Sequence, residues 1–160
     1  MTEVLATVSA SAPRRLVGVS VLLLLGGLLI YLALARPHES LGWQVFLLIF
    51  GAIVLWVAET MRRATSHTLT LTEDGITASD GQLLARIEDI DTVVRGTFAM
   101  KPSHGFVLKL KSPMGRVWAP GLWWRFGRRV GVGGVTGAGQ TKFMAEMLTL
   151  MLMEKKKAGS

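Results

Sequence analysis

Residues 16–35 read LVGVSVLLLLGGLLIYLALA, twenty positions from Leu16 to Ala35 without a charge. As a helix rising 1.5 Å per residue, such a run is about 30 Å long, the thickness of a bilayer's hydrocarbon core. A second run follows closely, Leu41 to Ala58, LGWQVFLLIFGAIVLWVA, with Gln44 as its strongly polar residue. Trp43 and Trp56 near its ends suit the two water–lipid interfaces. Between the runs, Arg36-Pro37-His38-Glu39-Ser40 supplies a helix-stopping proline and a polar turn. Two spans with so short a link are expected to form an antiparallel hairpin. In lipid both must be helical, because every backbone amide needs an internal partner.

Flanking charge predicts the orientation. Arg14 and Arg15 precede the first run and Arg62 and Arg63 follow the second, against Arg36 alone in the link. The positive-inside bias then puts both termini of a multi-pass protein in the cytoplasm. The first run also has a competing reading as a signal peptide, with Arg14-Arg15 as its basic start and Ala33-Leu34-Ala35 as a small-residue cleavage site. Its apolar stretch is longer than the usual core of about 7–15 residues, which weighs against that. Gly26-Gly27 and Gly51-Ala52 either let the helices approach closely or reflect the ordinary tolerance of membrane helices for glycine.

Composition agrees with a membrane class and narrows the chemistry. Half of the 160 residues are apolar, and the mean hydropathy is +0.42. Without cysteine there is no disulfide framework, thiolate metal site or cysteine nucleophile. The net charge of +7 is uneven: from Thr92 to Ala145 there are nine Lys or Arg and no Asp or Glu. Such a block points to an anionic partner, either phosphate-bearing lipid or nucleic acid, or an acidic protein surface, or else to a solvated face that keeps the domain soluble.

Past Arg63 the pattern changes to short alternating runs. His67–Thr72 alternates with period two, Glu73-Asp74-Gly75 turns, Ile76–Ser79 forms a strand, and Asp80-Gly81 is a tight hairpin into Gln82–Arg86. Ile87-Glu88-Asp89-Ile90-Asp91 is a polar corner whose isoleucines plug the core. Thr92–Phe98 and Gly105–Lys111 follow as strands, the latter with Phe106, Leu108 and Leu110 on one face and Lys109 and Lys111 on the other. Ser112–Gly115 is expected to turn into a short strand, Arg116–Trp118. Gln140–Lys157 lacks Gly and Pro and predicts a helix whose stripe of Phe143, Met147, Leu150 and Met151 covers a sheet.

Two apolar runs followed at once by Leu69-Thr-Leu-Thr-Glu-Asp-Gly-Ile76, then Asp80-Gly81 and Ile87-Glu-Asp-Ile90, resemble the small bacterial membrane proteins that carry a pleckstrin-homology-like (PH-like) domain. The likeness covers about Ser66 to Lys111. It implies a membrane-anchored α+β protein in a bacterial inner membrane: a tail (1–15), a transmembrane helical hairpin (16–61), and a basic cytoplasmic PH-like sandwich or barrel (64–160) capped by a C-terminal helix. Members of that family are mostly of unassigned function, so the likeness implies architecture rather than activity.

Function is sought between the strands and the last helix, in Trp118-Ala-Pro-Gly-Leu-Trp-Trp-Arg-Phe-Gly-Arg-Arg-Val130, read as a loop. Trp123 and Trp124 are adjacent, and in an extended chain neighbours point to opposite sides, so one core cannot easily receive both. Trp123, Trp124, Arg125, Phe126, Arg128 and Arg129 are the candidate interface, with Lys109, Lys111 and Arg116 as a supporting basic face. Indole beside guanidinium suits a lipid headgroup layer, where rings bury and cations meet phosphate. It equally suits a protein interface, and the plain alternative is that Trp123 or Phe126 fills the sandwich.

Gly134–Thr141 reads GVTGAGQT, a near miss of the phosphate-cradling GxxxxGK[ST] loop with Gln140 in the lysine's place. That leaves a flexible linker or a single-phosphate site at a helix N-terminus. His38, His67 and His104 have no metal-binding spacing, and no serine lies in a GxSxG elbow. The expectation is therefore a non-enzymatic binding or scaffold protein without cofactor, metal or nucleic-acid partner. Its partners are anionic membrane lipids or a neighbouring protein; the alternative is an accessory or assembly subunit of a larger membrane complex.

Overall fold

The computed structural model describes residues 2–35, 40–95 and 104–160. Helix α1 runs Ala12–Ala35 and α2 runs Leu41–Ala64, both long and apolar enough to cross a membrane. Pro13 sits in the first turn of α1, where its missing N–H has no helical partner to lose. The helices lie antiparallel and meet at glycine. A Cβ added to Gly26 would fall 2.7 Å from Leu55 and 3.2 Å from the Gly51 carbonyl oxygen; one added to Gly51 would fall 3.2 Å from that of Gly26. Gly27 faces nothing within 4 Å. Only the first glycine of the pair therefore serves close approach. Near the other end, Gln44 Nε2 donates to the Ala33 carbonyl at 3.0 Å, one of the last four in α1 that lack a helical donor. The expected link Arg36–Glu39 lies outside the described residues.

The segment ahead of α1, expected as a tail, contains a strand, β1 (Ala6–Ser9). It pairs antiparallel with β2 (Thr68–Leu71), the first strand after α2, in the register Ala6↔Leu71 to Ser9↔Thr68. The helical hairpin is thus an insertion between two neighbouring strands of one sheet. Strands β3 (Gly75–Ala78) and β4 (Leu83–Arg86) complete that sheet in the order β1-β2-β3-β4. The Asp80-Gly81 turn forms as the sequence predicts, with Gly81 at φ 89° and Asp80 Oδ1 accepting from the Gln82 amide at 3.1 Å.

A single 3-10 turn, Ile87–Asp89, carries the chain to the second sheet, β5 (Ile90–Val94), β6 (Phe106–Ala119) and β7 (Trp123–Val132), in the order β5-β6-β7. Ile87 and Ile90 are buried, as the corner reading predicts. The core lies between the sheets, built from residues such as Leu69, Leu71, Ile76, Leu84, Phe106, Leu108, Leu110, Val130 and Val132. Helix α3 (Ala138–Ala158) covers it with Met144, Ala145 and Leu148. On the predicted stripe, Met147 and Met151 pack against the core's edge, whereas Phe143 and Leu150 are exposed. Burial favours the face one residue further along.

Two expectations fail here. Ser112–Gly115 is not a turn: the chain runs through it as β6, with register shifts between Lys109 and Met114 and between Met114 and Val117. Pro113 and Gly115 break the ladder locally, and the result is a bulged, bent strand instead of a reversal. The stretch expected as a loop is β7, disguised because Gly127, at φ 58°, interrupts its alternation. Of the predicted strand Thr92–Phe98, the end beyond Arg95 lies outside the described residues, as does Lys101 of the basic block.

The helix contact yields a clear contrast. Leucine at Gly51 should destabilise the protein by about 2 kcal/mol through overpacking, lowering its thermal midpoint, whereas leucine at Gly27 should not. Equal midpoints for the two variants would contradict the Gly26–Gly51 contact.

Candidate functional site

β6 and β7 form an arm longer than the rest of their sheet. Near the sheet, Phe106 pairs with Val132; beyond the bend at Met114 and Gly127, Ala119 pairs with Trp123. The arm folds back on its own base: the Gly133 amide donates to Leu122 O at 2.9 Å and the Val135 amide to Gly121 O at 3.0 Å. Trp124 closes the fold by lying on Gly131, where any side chain would collide with the indole. The tip rests on the end of α2. Gly121, at φ 84°, would bring an added Cβ within 2.9 Å of Thr65 and 3.2 Å of Met61.

Strand alternation sorts the outer half of the arm into two faces. On the inner face Trp123 is 3% exposed and belongs to the core, where it meets neither lipid nor partner. This corrects its place in the candidate interface. Arg125, on the same face, is also committed. Its Nε donates to Gly115 O at 2.7 Å, and its Nη1 donates to Leu83 O at 2.6 Å and Leu84 O at 3.1 Å. The guanidinium thus joins the arm to the carbonyl edge of β4, with its cation near the Trp123 ring, 5.9 Å from the centroid. Arginine suits this task because its planar fork can serve several carbonyls at once.

On the outer face stand Arg116, Trp118, Trp124 and Phe126. Trp118 and Trp124 are directly opposed across the strands, which places them on one face. Trp118 is 52% exposed and Phe126 58%. The Arg116 guanidinium covers the Phe126 ring at 4.5 Å from its centroid, a cation–π pair. The face does not end with the arm: the Trp118 ring lies 6.1 Å from that of Trp56, on α2 and 60% exposed. One aromatic strip therefore runs from the outer face of the arm onto the side of an apolar helix.

The remaining cations spread around it. Arg128 and Arg129 are exposed, and Arg129 sits directly opposite Lys109. Like charges in that position repel, so an anion would relieve the pair. Lys111 is exposed and its Nζ donates to Glu88 O at 2.8 Å, which draws it away from this edge. Among the described residues no group of three or more His, Asp or Glu is placed to hold a metal ion.

No family model, curated protein or solved structure matches the chain.

Of the nine expected residues, Trp124, Phe126 and Arg116 come together on one face, Arg128, Arg129 and Lys109 form an exposed basic edge, and Trp123, Arg125 and Lys111 serve elsewhere. Trp56 and Trp118 were missed as site residues. The alternation Arg116, Trp118, expected as a short strand, matches that of Trp124, Phe126, but reading the stretch after it as a loop hid the match. The glycine-rich stretch is not a free linker. Gly131 and Val132 belong to β7, Thr136 bridges Ala10, and Arg14 Nη1 donates to Thr136 O at 3.0 Å. Gln140 Oε1 accepts from the Ser9 amide at 3.0 Å, and the Thr141 hydroxyl donates to His104 O at 2.5 Å.

Replacing Arg125 by methionine, which keeps the stem but not the donors, should lower stability by about 2 kcal/mol, the scale of charge-assisted hydrogen bonds to partly buried carbonyls. Alanine at exposed Arg128 should change it by less than about 0.5 kcal/mol. Urea unfolding followed by tryptophan fluorescence measures both; similar losses at the two positions would contradict the bridging role.

Proposed function

We propose that this chain is a non-enzymatic binding module anchored in a membrane by the α1–α2 hairpin, whose arm lays its aromatic face in the lipid headgroup layer of the cytoplasmic side. The observation that carries the reading is the continuous strip of Trp56, Trp118, Trp124 and Phe126 shared by an apolar helix and a basic domain. Tryptophan settles at membrane interfaces because its ring is apolar and its N–H polar. Arg116, Arg128 and Arg129 stand where phosphate would meet them, each contributing on the order of 1 kcal/mol near an anionic leaflet.

Three features support the membrane itself as the solvent of the helices. Only 17% of the most apolar window of α1 and 22% of that of α2 is buried, too little for core helices of a water-soluble fold. Cleavage of α1 as a signal peptide would remove β1, an edge strand of the sheet. Arg14, Arg15, Arg62 and Arg63 gather at the end of the hairpin that meets the domain, consistent with the positive-inside rule. The arrangement of four strands, three strands and a closing C-terminal helix supports a PH-like domain of a small bacterial inner-membrane protein. In that reading the hairpin is inserted after its first strand.

The same face would also suit a membrane protein partner at that depth, since Trp and Arg are the residues enriched at binding hot spots. The chain would then be an accessory subunit, and a stoichiometric partner retained in mild detergent would favour this second reading.

Because the chain lacks cysteine, single-cysteine variants report without background. A fragment starting at residue 64 would lack β1, so the full chain is required. With an environment-sensitive fluorophore at Gly115→Cys on the arm, emission should shift to the blue in vesicles containing anionic lipid, and less so after Arg116, Arg128 and Arg129 are replaced by alanine. The same label at Glu88→Cys should report water throughout. Water-like emission at both positions would refute the interfacial arm.

Topology is tested separately. Cysteines introduced at Glu3 and at Ser160 should react with a membrane-impermeant maleimide from the same side of sealed vesicles. Labelling from opposite sides would rule out the hairpin.

A further inference from the structure

Acidic residues are scarce on this chain and absent from Thr92 to Ala145, yet four of them, Glu73, Asp74, Glu88 and Glu154, line one groove. The groove has a volume of about 1190 Å³ and lies between the β2–β3 turn, the start of the 3-10 turn and the C-terminal half of α3. It sits at the end of the sheet away from the helices, because β1 runs toward α1 and β2 runs away from α2. Arg86 is paired with Glu88 at 3.5 Å, and Lys111 reaches the Glu88 carbonyl at 2.8 Å, so Glu73, Asp74 and Glu154 face the groove with Lys155 as the remaining cation among its lining residues. The floor is apolar and includes Met147 and Met151. Beside it α3 leaves Leu150 and Met153 exposed.

We propose that this groove binds a basic amphipathic segment of a partner protein. The sign of the rim selects the occupant, since carboxylates repel lipid phosphate and nucleic acid and attract Lys and Arg. The methionine floor selects an apolar stripe on the same segment, because unbranched thioether side chains adapt to varied shapes. The groove is open and bounded by three separate elements, a shape that suits an elongated segment. The mode would be that of an amphipathic helix laid in a groove, with its charged flanks meeting the rim. This site shares no residue with the aromatic arm, so its failure would leave the proposed membrane reading standing.

The test uses the full chain in nanodiscs of zwitterionic lipid, which offer a cationic peptide no anionic surface. The probe is a fluorescein-labelled peptide with leucines at helical spacing and lysines elsewhere, compared with its glutamate counterpart and with empty nanodiscs. Fluorescence anisotropy should show saturable binding of the lysine peptide alone. Glu73 and Glu154 are exposed, so the double variant Glu73→Lys, Glu154→Lys should fold and should bind about tenfold more weakly, as a like-charge rim disfavours the ligand. Met151→Glu should also weaken binding, whereas Arg129→Glu on the arm should not. Binding equal to empty nanodiscs, equal affinity for the two peptides, or indifference to charge reversal would overturn the proposal. So would self-association lost on Glu73→Lys, which would make the occupant a second copy of the chain.

Discussion

The pairing of β1 with β2 is the constraint on which the rest of the architecture depends. The two strands are neighbours in the sheet, with Ser9 opposite Thr68, yet both 24-residue helices intervene between them in sequence. Opposed residues in an antiparallel ladder stand about 5 Å apart at Cα, so the chain must leave the sheet and return to nearly the same point. Two antiparallel helices meet that demand; one helix could not. Only Ala10 and Ser11 separate β1 from α1, and only Thr65, Ser66 and His67 separate α2 from β2. Links so short leave little room for swivel, and cross-contacts remove more of it. Arg15 Nη2 donates to Arg62 O at 3.1 Å, and Met61 lies against both Gly18 and Gly121. Helices and domain are therefore joined at one packed junction.

The pleat of β7 explains how a single strand serves both core and site. Adjacent residues of an extended chain face opposite ways, so Trp123 fills the sandwich while Trp124 lies outside on Gly131. The next pair repeats the split: Arg125 turns inward to the carbonyls of β4, and Phe126 outward under Arg116. The inward side chains hold the arm against the sheet and thereby fix where the outward ones point. Loss of the Arg125 contacts would therefore disturb the aromatic face without touching it. The cross-strand repulsion of Lys109 and Arg129 sits on the outside of the same sheet, where stability alone gives no reason for it.

How far the fold could be read in the sequence follows from the range of each interaction. The helices announce themselves because uncharged runs of that length have few other uses, and α3 follows from a stretch free of glycine and proline. β2, β3 and β4 follow from local alternation and a Gly81 turn. β1 does not, since ATVS is only four residues and its partner lies beyond two helices. β6 and β7 were obscured by their own bend: Pro113, Gly115 and Gly127 look like turn residues and instead work as bulges within continuous strands. The adjacency of Trp123 and Trp124 did reveal that one of them had to leave the core. Which one left, and that Trp118 and Trp56 would join it, depended on register and on the tip's return to α2.

The junction also bears on what weak surface charges can achieve. A free domain carrying three arginines near an anionic leaflet would gain only a few kcal/mol, much of it cancelled by the cost of immobilisation. In the proposed arrangement the hairpin has already met that cost, so the arginines act on an effectively intramolecular contact. With such short links, a pull on the arm cannot simply rotate the domain; it passes through Gly121, Met61 and Thr65 to the end of α2. Arm and helix pair then share one tilt, and the aromatic strip from Phe126 to Trp56 becomes the line along which that tilt is set.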